Sequence, residues 1–218
     1  MRKILVLTLL CSWLLSPATN FAKQDNLLEK VEAASQAMQS WQADFEQITT
    51  IEALGENLHK TGTIAAAKPK QFNITYNSEP QKTYLYNGKN LWLHQVQSQS
   101  VISFKNPENL ISSEALSFLS GLEKLSTLFT EAETNDVPAF QFHNKKLTAL
   151  KLMPLQDNGS IQFLVLGLDS KFNTEEAFLW TPSGNSTHYI FKNYVKNPTL
   201  DKSLFTWTKQ HGIKEIQQ

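Results

Sequence analysis

The chain has 218 residues, of which 41% are hydrophobic and 18% charged, and its formal net charge at pH 7 is zero. This is a globular composition with ample material for a core, and it excludes the strongly basic surface typical of nucleic-acid-binding proteins. We therefore expect no nucleic-acid partner.

The first 22 residues are predicted to be a secretory signal peptide. A basic pair at the start precedes an apolar run over 4–15, and small and polar residues follow up to Ala22. That run is too short for a membrane span, and cleavage after Ala22 or Ala18 fits the pattern. The sequence thus predicts export of a single soluble domain, residues 23–218.

The only cysteine, Cys11, lies inside the predicted signal peptide. It follows Leu10, whereas a lipoprotein signal has a small residue just before its cysteine, so we expect no lipid anchor. The exported domain then has no disulfide and depends on packing for its stability.

Two segments have helical patterns. Apolar residues recur every three or four positions from Leu27 to Phe45, and we expect a helix that ends near Ser40 and a strand that begins at Trp41. The second segment, 112–130, opens with a capping candidate and carries leucines at a spacing of three.

Short runs of β-forming residues bounded by turn residues fill most of the remaining chain. The predicted strands are 41–51, 59–67, 71–76, 82–87, 90–97, 100–105, 147–154, 160–169, 174–181, 187–195 and 203–208. So many strands with two helices predict an α+β fold that is mainly β. The sheet should be antiparallel and strongly curved, either a barrel or a sheet wrapped over a helix.

A hairpin is predicted around Asn87-Gly88, because glycine adopts positive φ without steric cost. Its second arm places Leu91 and Leu93 on one face and Trp92 on the other. A strand with one solvated face would alternate apolar with polar residues. The sequence leaves open which face points inward and what lies against the second face.

No catalytic or metal-binding motif is recognisable. The chain lacks a nucleophile elbow, a phosphate-binding loop, a dinucleotide fingerprint and H-E-x-x-H, and its histidines, at 59, 94, 143, 188 and 211, have no ligand-like spacing. The adjacent Glu175 and Glu176 point to opposite faces of a strand and cannot form an acid/base dyad. We therefore expect a binding protein with no enzymatic activity, cofactor or metal.

Several short motifs follow one another in a particular order. They are WQADFEQ at 41–47, Gly62, KPKQFNITY at 68–76, YNGKNLWLH at 86–94, FLSGL at 118–122, GNSTHYIFKN at 184–193 and FTWTKQHGIKEI at 205–216. Together with the signal peptide and the N-terminal helix, this order resembles the LolA family of periplasmic carriers of outer-membrane lipoproteins. The resemblance covers nearly the whole exported domain, and its specificity comes from the combination of motifs.

The resemblance implies an incomplete antiparallel β-barrel of about eleven strands, covered by a lid of helices and enclosing a hydrophobic cavity for lipid chains. It implies a monomeric periplasmic chaperone without a cofactor. Such a chaperone accepts acylated lipoproteins from an ABC-type exporter in the inner membrane and passes them to an outer-membrane receptor. The residues expected to line the cavity are Trp41, Phe45, Ile64, Phe72, Ile74, Tyr76, Leu116 and Leu119.

Lys68 stands where family members commonly have an arginine that hydrogen-bonds the lid from the barrel mouth. The family element is R-P-x-x-F, and here Lys68 is followed by Pro69 and Phe72. Lysine has three donors on a flexible stem where arginine has a planar fork, so we expect Lys68 to latch the lid with less directional hold. A solvated turn residue before proline is the alternative role.

Other functions are compatible with the sequence. They include an anchored acceptor or an envelope sensor with the same fold, a carrier for another lipid, and an exported hydrolase. An ordinary packed core could also take the place of the cavity. The lack of a lipidation cysteine disfavours the acceptor, and the chain has little room for the second domain of a sensor.

Overall fold

The computed structural model describes residues 26–105, 107, 124–135, 137, 140–156 and 159–218. Within these ranges the chain forms one α-helix, α1 (Leu27–Gln36), and a twelve-stranded sheet. The strands are β1 (Ser40–Ile51), β2 (Glu56–Ala67), β3 (Gln71–Tyr76), β4 (Lys82–Tyr86), β5 (Asn90–Gln95), β6 (Ser100–Lys105), β7 (Phe129–Ala132), β8 (Thr148–Pro154), β9 (Phe163–Leu168), β10 (Thr174–Trp180), β11 (Ser186–Lys196) and β12 (Lys214–Gln217). In this part of the chain, no helix has the length and apolarity needed to cross a membrane.

The strand order is β12-β6-β5-β4-β3-β2-β1-β11-β10-β9-β8-β7, so β12 and β7 are the edges of a sheet that does not close. Neighbouring strands pair antiparallel, except that β12 runs parallel to β6. The predicted fold class, a mainly β and incomplete barrel, is confirmed. Most of the second predicted helical segment, 112–130, lies outside the described residues, namely its part over 112–123 with Leu116 and Leu119.

Two predicted element types are wrong. The expected strand at 203–208 is replaced by a 3-10 turn, Lys202–Phe205, in which the Asp201 carboxylate accepts a hydrogen bond from the Ser203 N–H (2.8 Å). That local cap outweighs the β-propensity of the segment. The described end of the second predicted helix, 124–130, consists of a 3-10 helix, Leu125–Thr127, and the start of β7, because Phe129 is buried and the strand pairs with β8.

The helix α1 is shorter than predicted, ending at Gln36 and not near Ser40. Ser40 already belongs to β1, where it pairs with Ala67. Its hydroxyl also donates to the carbonyl oxygen of Pro198 (2.7 Å). These long-range contacts fix Ser40 in the sheet, which helical periodicity alone could not reveal.

Apolar clusters cover both faces of the β8–β10 end of the sheet, and every residue of β9 is buried. On the inner face, Leu28 and Val31 of α1 pack with buried leucines of β8 and β9. On the outer face, Phe142 packs with Phe163 and Trp180. A strand that is buried on both faces has a nearly continuous apolar sequence, and β9 has such a sequence.

A C-terminal segment covers the second face of the β4–β5 hairpin. Leu91 points to the inner face and is buried, whereas Trp92 lies on the outer face opposite Leu85. Residues 201–207, here called the strap, run across that outer face. The Asn73 amide donates to the Leu204 carbonyl oxygen (2.7 Å), and the Trp207 ring lies 5.0 Å from that of His94.

The first prediction concerns the strap. Phe205 is 1% exposed and its neighbour Leu204 is 39% exposed. Phe205→Ala should lower the free energy of unfolding by roughly 3–5 kcal/mol, because it leaves a cavity between strap and sheet. Leu204→Ala, the matched control, should change it by less than about 0.5 kcal/mol. Urea denaturation measures both; equal losses would contradict docking through Phe205.

Candidate functional site

An apolar pocket of about 330 Å³, part of it open to solvent, lies on the inner face where β1, β2, β3 and β11 adjoin. Its lining residues are Trp41, Phe45, Ile64, Ile74, Tyr76, Tyr189 and Phe191. Side chains of a strand alternate between its two faces, so residues two apart on β1, β3 and β11 share the inner face. The register places Ile64 opposite Ile74, and Phe45 opposite Phe191.

The Phe45 ring occupies the centre of this surface because Gly62 leaves room for it. A Cβ atom on Gly62 would stand 2.6 Å from the Phe45 Cζ atom and would also collide with the Thr75 carbonyl oxygen. Phe45 lies edge-to-face with Tyr76, with ring centroids 5.3 Å apart. Any larger residue at position 62 would therefore displace a wall of the pocket.

The two tyrosine hydroxyl groups of the pocket are uncharged. The Tyr76 hydroxyl donates to the Gln47 side-chain oxygen (2.8 Å), and burial raises the pKa of Tyr76 far above its usual value. Burial likewise raises the pKa of Tyr189 to about 12. Both side chains are thus uncharged at physiological pH, and the lining favours an apolar ligand.

Two lysines lie beside the aromatic lining. The Lys82 ammonium is 5.0 Å from the centroid of Tyr76 and donates to the Tyr84 hydroxyl (3.0 Å). The Lys60 ammonium is 5.6 Å from the same Tyr76 centroid. These cation–π contacts place positive charge at the Tyr76 side of the pocket.

The structure brings together five of the residues expected to line a cavity. These are Trp41, Phe45, Ile64, Ile74 and Tyr76. Phe72 belongs to the same apolar cluster but does not line the pocket; it is fully buried and packs on Tyr86, with ring centroids 5.3 Å apart. Leu116 and Leu119 lie outside the described residues. Whether any of these residues contacts a ligand stays a prediction.

Tyr189 and Phe191 were missing from the expected lining. Both lie in the HYIFKN motif of β11, where the intervening Ile190 is apolar and buried as well. Alternation therefore gave no sign of which set faces inward. The pairing of Gln47 with Tyr189 and of Phe45 with Phe191 decides it.

Lys68 binds the last turn of α1. Its ammonium donates to the carbonyl oxygens of Gln36 (3.0 Å) and Ser35 (3.5 Å). The final carbonyls of a helix have no partners within the helix and carry partial negative charge, so a cation is favourable there. This contact ties the start of the sheet's β2–β3 turn to the helix, which is the arrangement a latch requires.

Two carboxylates hold the other parts of α1. Glu131 on β7 accepts from the Leu28 N–H (3.2 Å), and Glu32 of the helix accepts from the Ser126 N–H (2.6 Å). Between these contacts, Leu28 and Val31 pack on the inner face. The helix is therefore held by a few polar contacts around one apolar stripe.

A polar pocket of about 730 Å³, part of it open to solvent, adjoins the apolar one. It is lined by Asp169, Lys171, Asn173, Thr174, Glu175, Phe191, Tyr194 and Lys196, and Phe191 is common to both pockets. Charges of both signs lie around it. The two pockets together suit a ligand that joins apolar chains to a polar group.

Comparison with known proteins matches residues 36–208 to the family described as "Outer membrane lipoprotein carrier protein LolA". An outer-membrane lipoprotein carrier protein of Nitrosomonas europaea is 22% identical over 179 residues, covering 82% of each chain. One of Albidiferax ferrireducens is 22% identical over 200 residues, 88% of this chain and 91% of that relative. The crystal structure of an uncharacterized conserved protein from Thermus thermophilus has the same fold, with a TM-score of 0.51, 9% identity and coverage of 88% and 97%.

Proposed function

The chain belongs to the LolA family of outer-membrane lipoprotein carriers, and on that premise we propose that it is a periplasmic chaperone for acylated lipoproteins. It binds their acyl chains on the inner face of the sheet. It receives them from an ABC-type exporter of the inner membrane and passes them to a receptor at the outer membrane. In this role the protein is a carrier, not an enzyme.

The apolar pocket is the observation that carries the proposal. Seven apolar and aromatic side chains surround it, and its tyrosines are neutral. Each CH₂ group moved from water into such a surface gains about 0.8 kcal/mol, so an acyl chain crosses an aqueous compartment only when it is covered.

Loading requires the inner face to widen. The volume of about 330 Å³ includes open solvent, and the space enclosed between the lining side chains is too small for even one acyl chain. Displacing α1 would uncover the neighbouring leucines that now pack on Leu28 and Val31. The closed helix and the acyl chains therefore compete for one apolar surface.

This competition makes release possible. A hydrogen bond from a charged donor contributes roughly 1.5–3 kcal/mol, and less where water reaches it. The two bonds from Lys68 to the end of α1 thus favour the ligand-free, closed state. Because acyl chains must break these bonds to displace α1, part of their binding free energy is offset, and binding is reversible. The polar pocket beside Phe191 would take the polar part of the cargo.

The direct test is mass spectrometry of the lipids and proteins that co-purify with the chain from the periplasm. We expect triacylated lipoproteins, and a mature protein beginning at Lys23, or at Thr19 on the alternative cut. Free lipid alone would favour a carrier for another lipid. Absence of any bound lipid, together with turnover of an ester or glycoside substrate, would favour the hydrolase.

The pocket itself is tested by adjacent positions on β11. Phe191→Gln should weaken binding of an apolar fluorescent dye and of purified lipoprotein about tenfold, because burial of one phenyl ring is lost. Lys192→Gln, the control, alters the next side chain, which is exposed and pairs with Glu46 on the other face. Its binding should be unchanged. Equal affinities of both variants would contradict binding at this pocket.

The latch is tested by transfer of lipoprotein from loaded protein to outer-membrane vesicles. Lys68→Leu removes the bonds that favour the closed helix, so it should load readily and release about tenfold more slowly than the wild type. Lys68→Arg, which restores the common family residue, should release at least as fast as the wild type. Equal release rates for the leucine variant and the wild type would show that Lys68 is only a solvated turn residue.

A further inference from the structure

A cluster of two histidines and one glutamate lies on the outer face, away from the apolar pocket. Glu176 is on β10, His188 is on β11, and His143 lies in residues 140–144, here called the crossing segment, which runs across these strands. One ligand atom from each of the three side chains lies within 4.8 Å of the others. The three residues are far apart in the sequence, so spacing could not predict the cluster.

The carboxylate of Glu176 is fixed before any ligand arrives. Glu176 is 2% exposed, and its two oxygens accept hydrogen bonds from the backbone N–H groups of His143 (3.0 Å) and Asn144 (2.9 Å). These amides hold the carboxylate in place and connect the crossing segment to β10. Hydrogen bonds of this kind orient the carboxylate ligands of metal sites.

The imidazole of His188 is fixed as well. The residue is buried, and its ring stacks on Phe178 with centroids 3.8 Å apart and an interplanar angle of 11°. Its Nε2 atom lies 2.8 Å from the Oε2 atom of Glu176. The ring therefore presents a nitrogen to the carboxylate, and packing opposes its rotation.

His143 supplies an accessible third donor. Its ring stacks beside that of His188, with centroids 5.3 Å apart, and its Nδ1 atom is 3.7 Å from Glu176 Oε2. The side chain is 63% exposed, so it can turn toward an ion and leaves a path from solvent. A solvent-facing side of this kind also admits water as a fourth ligand.

We propose that His143, Glu176 and His188 form a binding site for a divalent transition-metal ion, best matched by Zn²⁺. Two imidazoles and one carboxylate are a donor set that zinc binds, whereas Ca²⁺ and Mg²⁺ prefer oxygen donors alone. Zinc bonds of about 2.0–2.2 Å place tetrahedral ligand atoms about 3.3–3.6 Å apart. The 3.7 Å separation is only slightly longer than this range, and the 2.8 Å separation must widen by roughly 0.5 Å as the ion replaces the His188–Glu176 hydrogen bond.

The ion would fasten the crossing segment to the sheet. That segment carries Phe140 and Phe142, which pack with Phe178 and Trp180 on the outer face. A metal bound only by the folded arrangement of ligands stabilises the folded state by mass action. The site is structural in this role, and it is independent of the proposed cargo binding on the inner face.

The experiment is a Zn²⁺ titration of the chelator-treated, full exported protein by calorimetry, with Co²⁺ absorption as the probe of geometry and thermal unfolding as a second readout. We expect one equivalent of Zn²⁺, visible Co²⁺ bands typical of tetrahedral coordination, and a higher Tm with Zn²⁺. His143→Ala should weaken Zn²⁺ binding at least tenfold and abolish the Tm increase. Its exposed side chain can be removed while the backbone bond to Glu176 remains.

His211→Ala is the matched control, since His211 is exposed and lies just before β12, the edge strand on the far side of the sheet from β10 and β11. It should bind Zn²⁺ as the wild type does. Absence of saturable binding below about 100 µM Zn²⁺, equal affinities of the His143→Ala protein and the wild type, or a loss of binding in the His211→Ala protein would each overturn the proposal.

Discussion

The sheet has apolar side chains on both faces, and each apolar stretch has to be covered by another part of the chain or serve as a binding surface. The strap covers the outer face of β3–β5, the segment with Phe142 covers the outer face of β8–β10, and α1 covers part of the inner face. In the part of the chain that the structure describes, the apolar pocket is left on the inner face. Its position therefore follows from how the other apolar surfaces are covered.

The contacts that hold the covering segments differ in kind, and the difference fits their roles. The strap is held by the fully buried side chain of Phe205, and moving that side chain into water would cost free energy. The helix α1 is held by a lysine at its end, carboxylates elsewhere and only a short apolar stripe. Because polar contacts at a partly exposed site contribute little net free energy, α1 is the cover that acyl chains can displace at least cost.

The sequence by itself determined the fold class and much of the pocket. Ten of the predicted strands correspond to β1–β6 and β8–β11. On β1 and β3 the apolar residues alternate with polar ones, so Trp41, Phe45, Ile74 and Tyr76 could be assigned to one face from the period of two. The resemblance predicted that Lys68 latches the lid, and this role stays a prediction; in the structure the Lys68 ammonium donates hydrogen bonds to the end of α1.

Only the tertiary structure decided the rest. β11 is apolar on both faces, so no local pattern shows which face points inward. Its pairing with β1 places Tyr189 and Phe191 on the inner face. The pairing of β10 with β11 and the crossing segment bring His143, Glu176 and His188 together, although their spacing has no regularity. Local periodicity reports which residues of one strand share a face. Which distant strand or segment lies against that face depends on the long-range register and on what each apolar surface must bury.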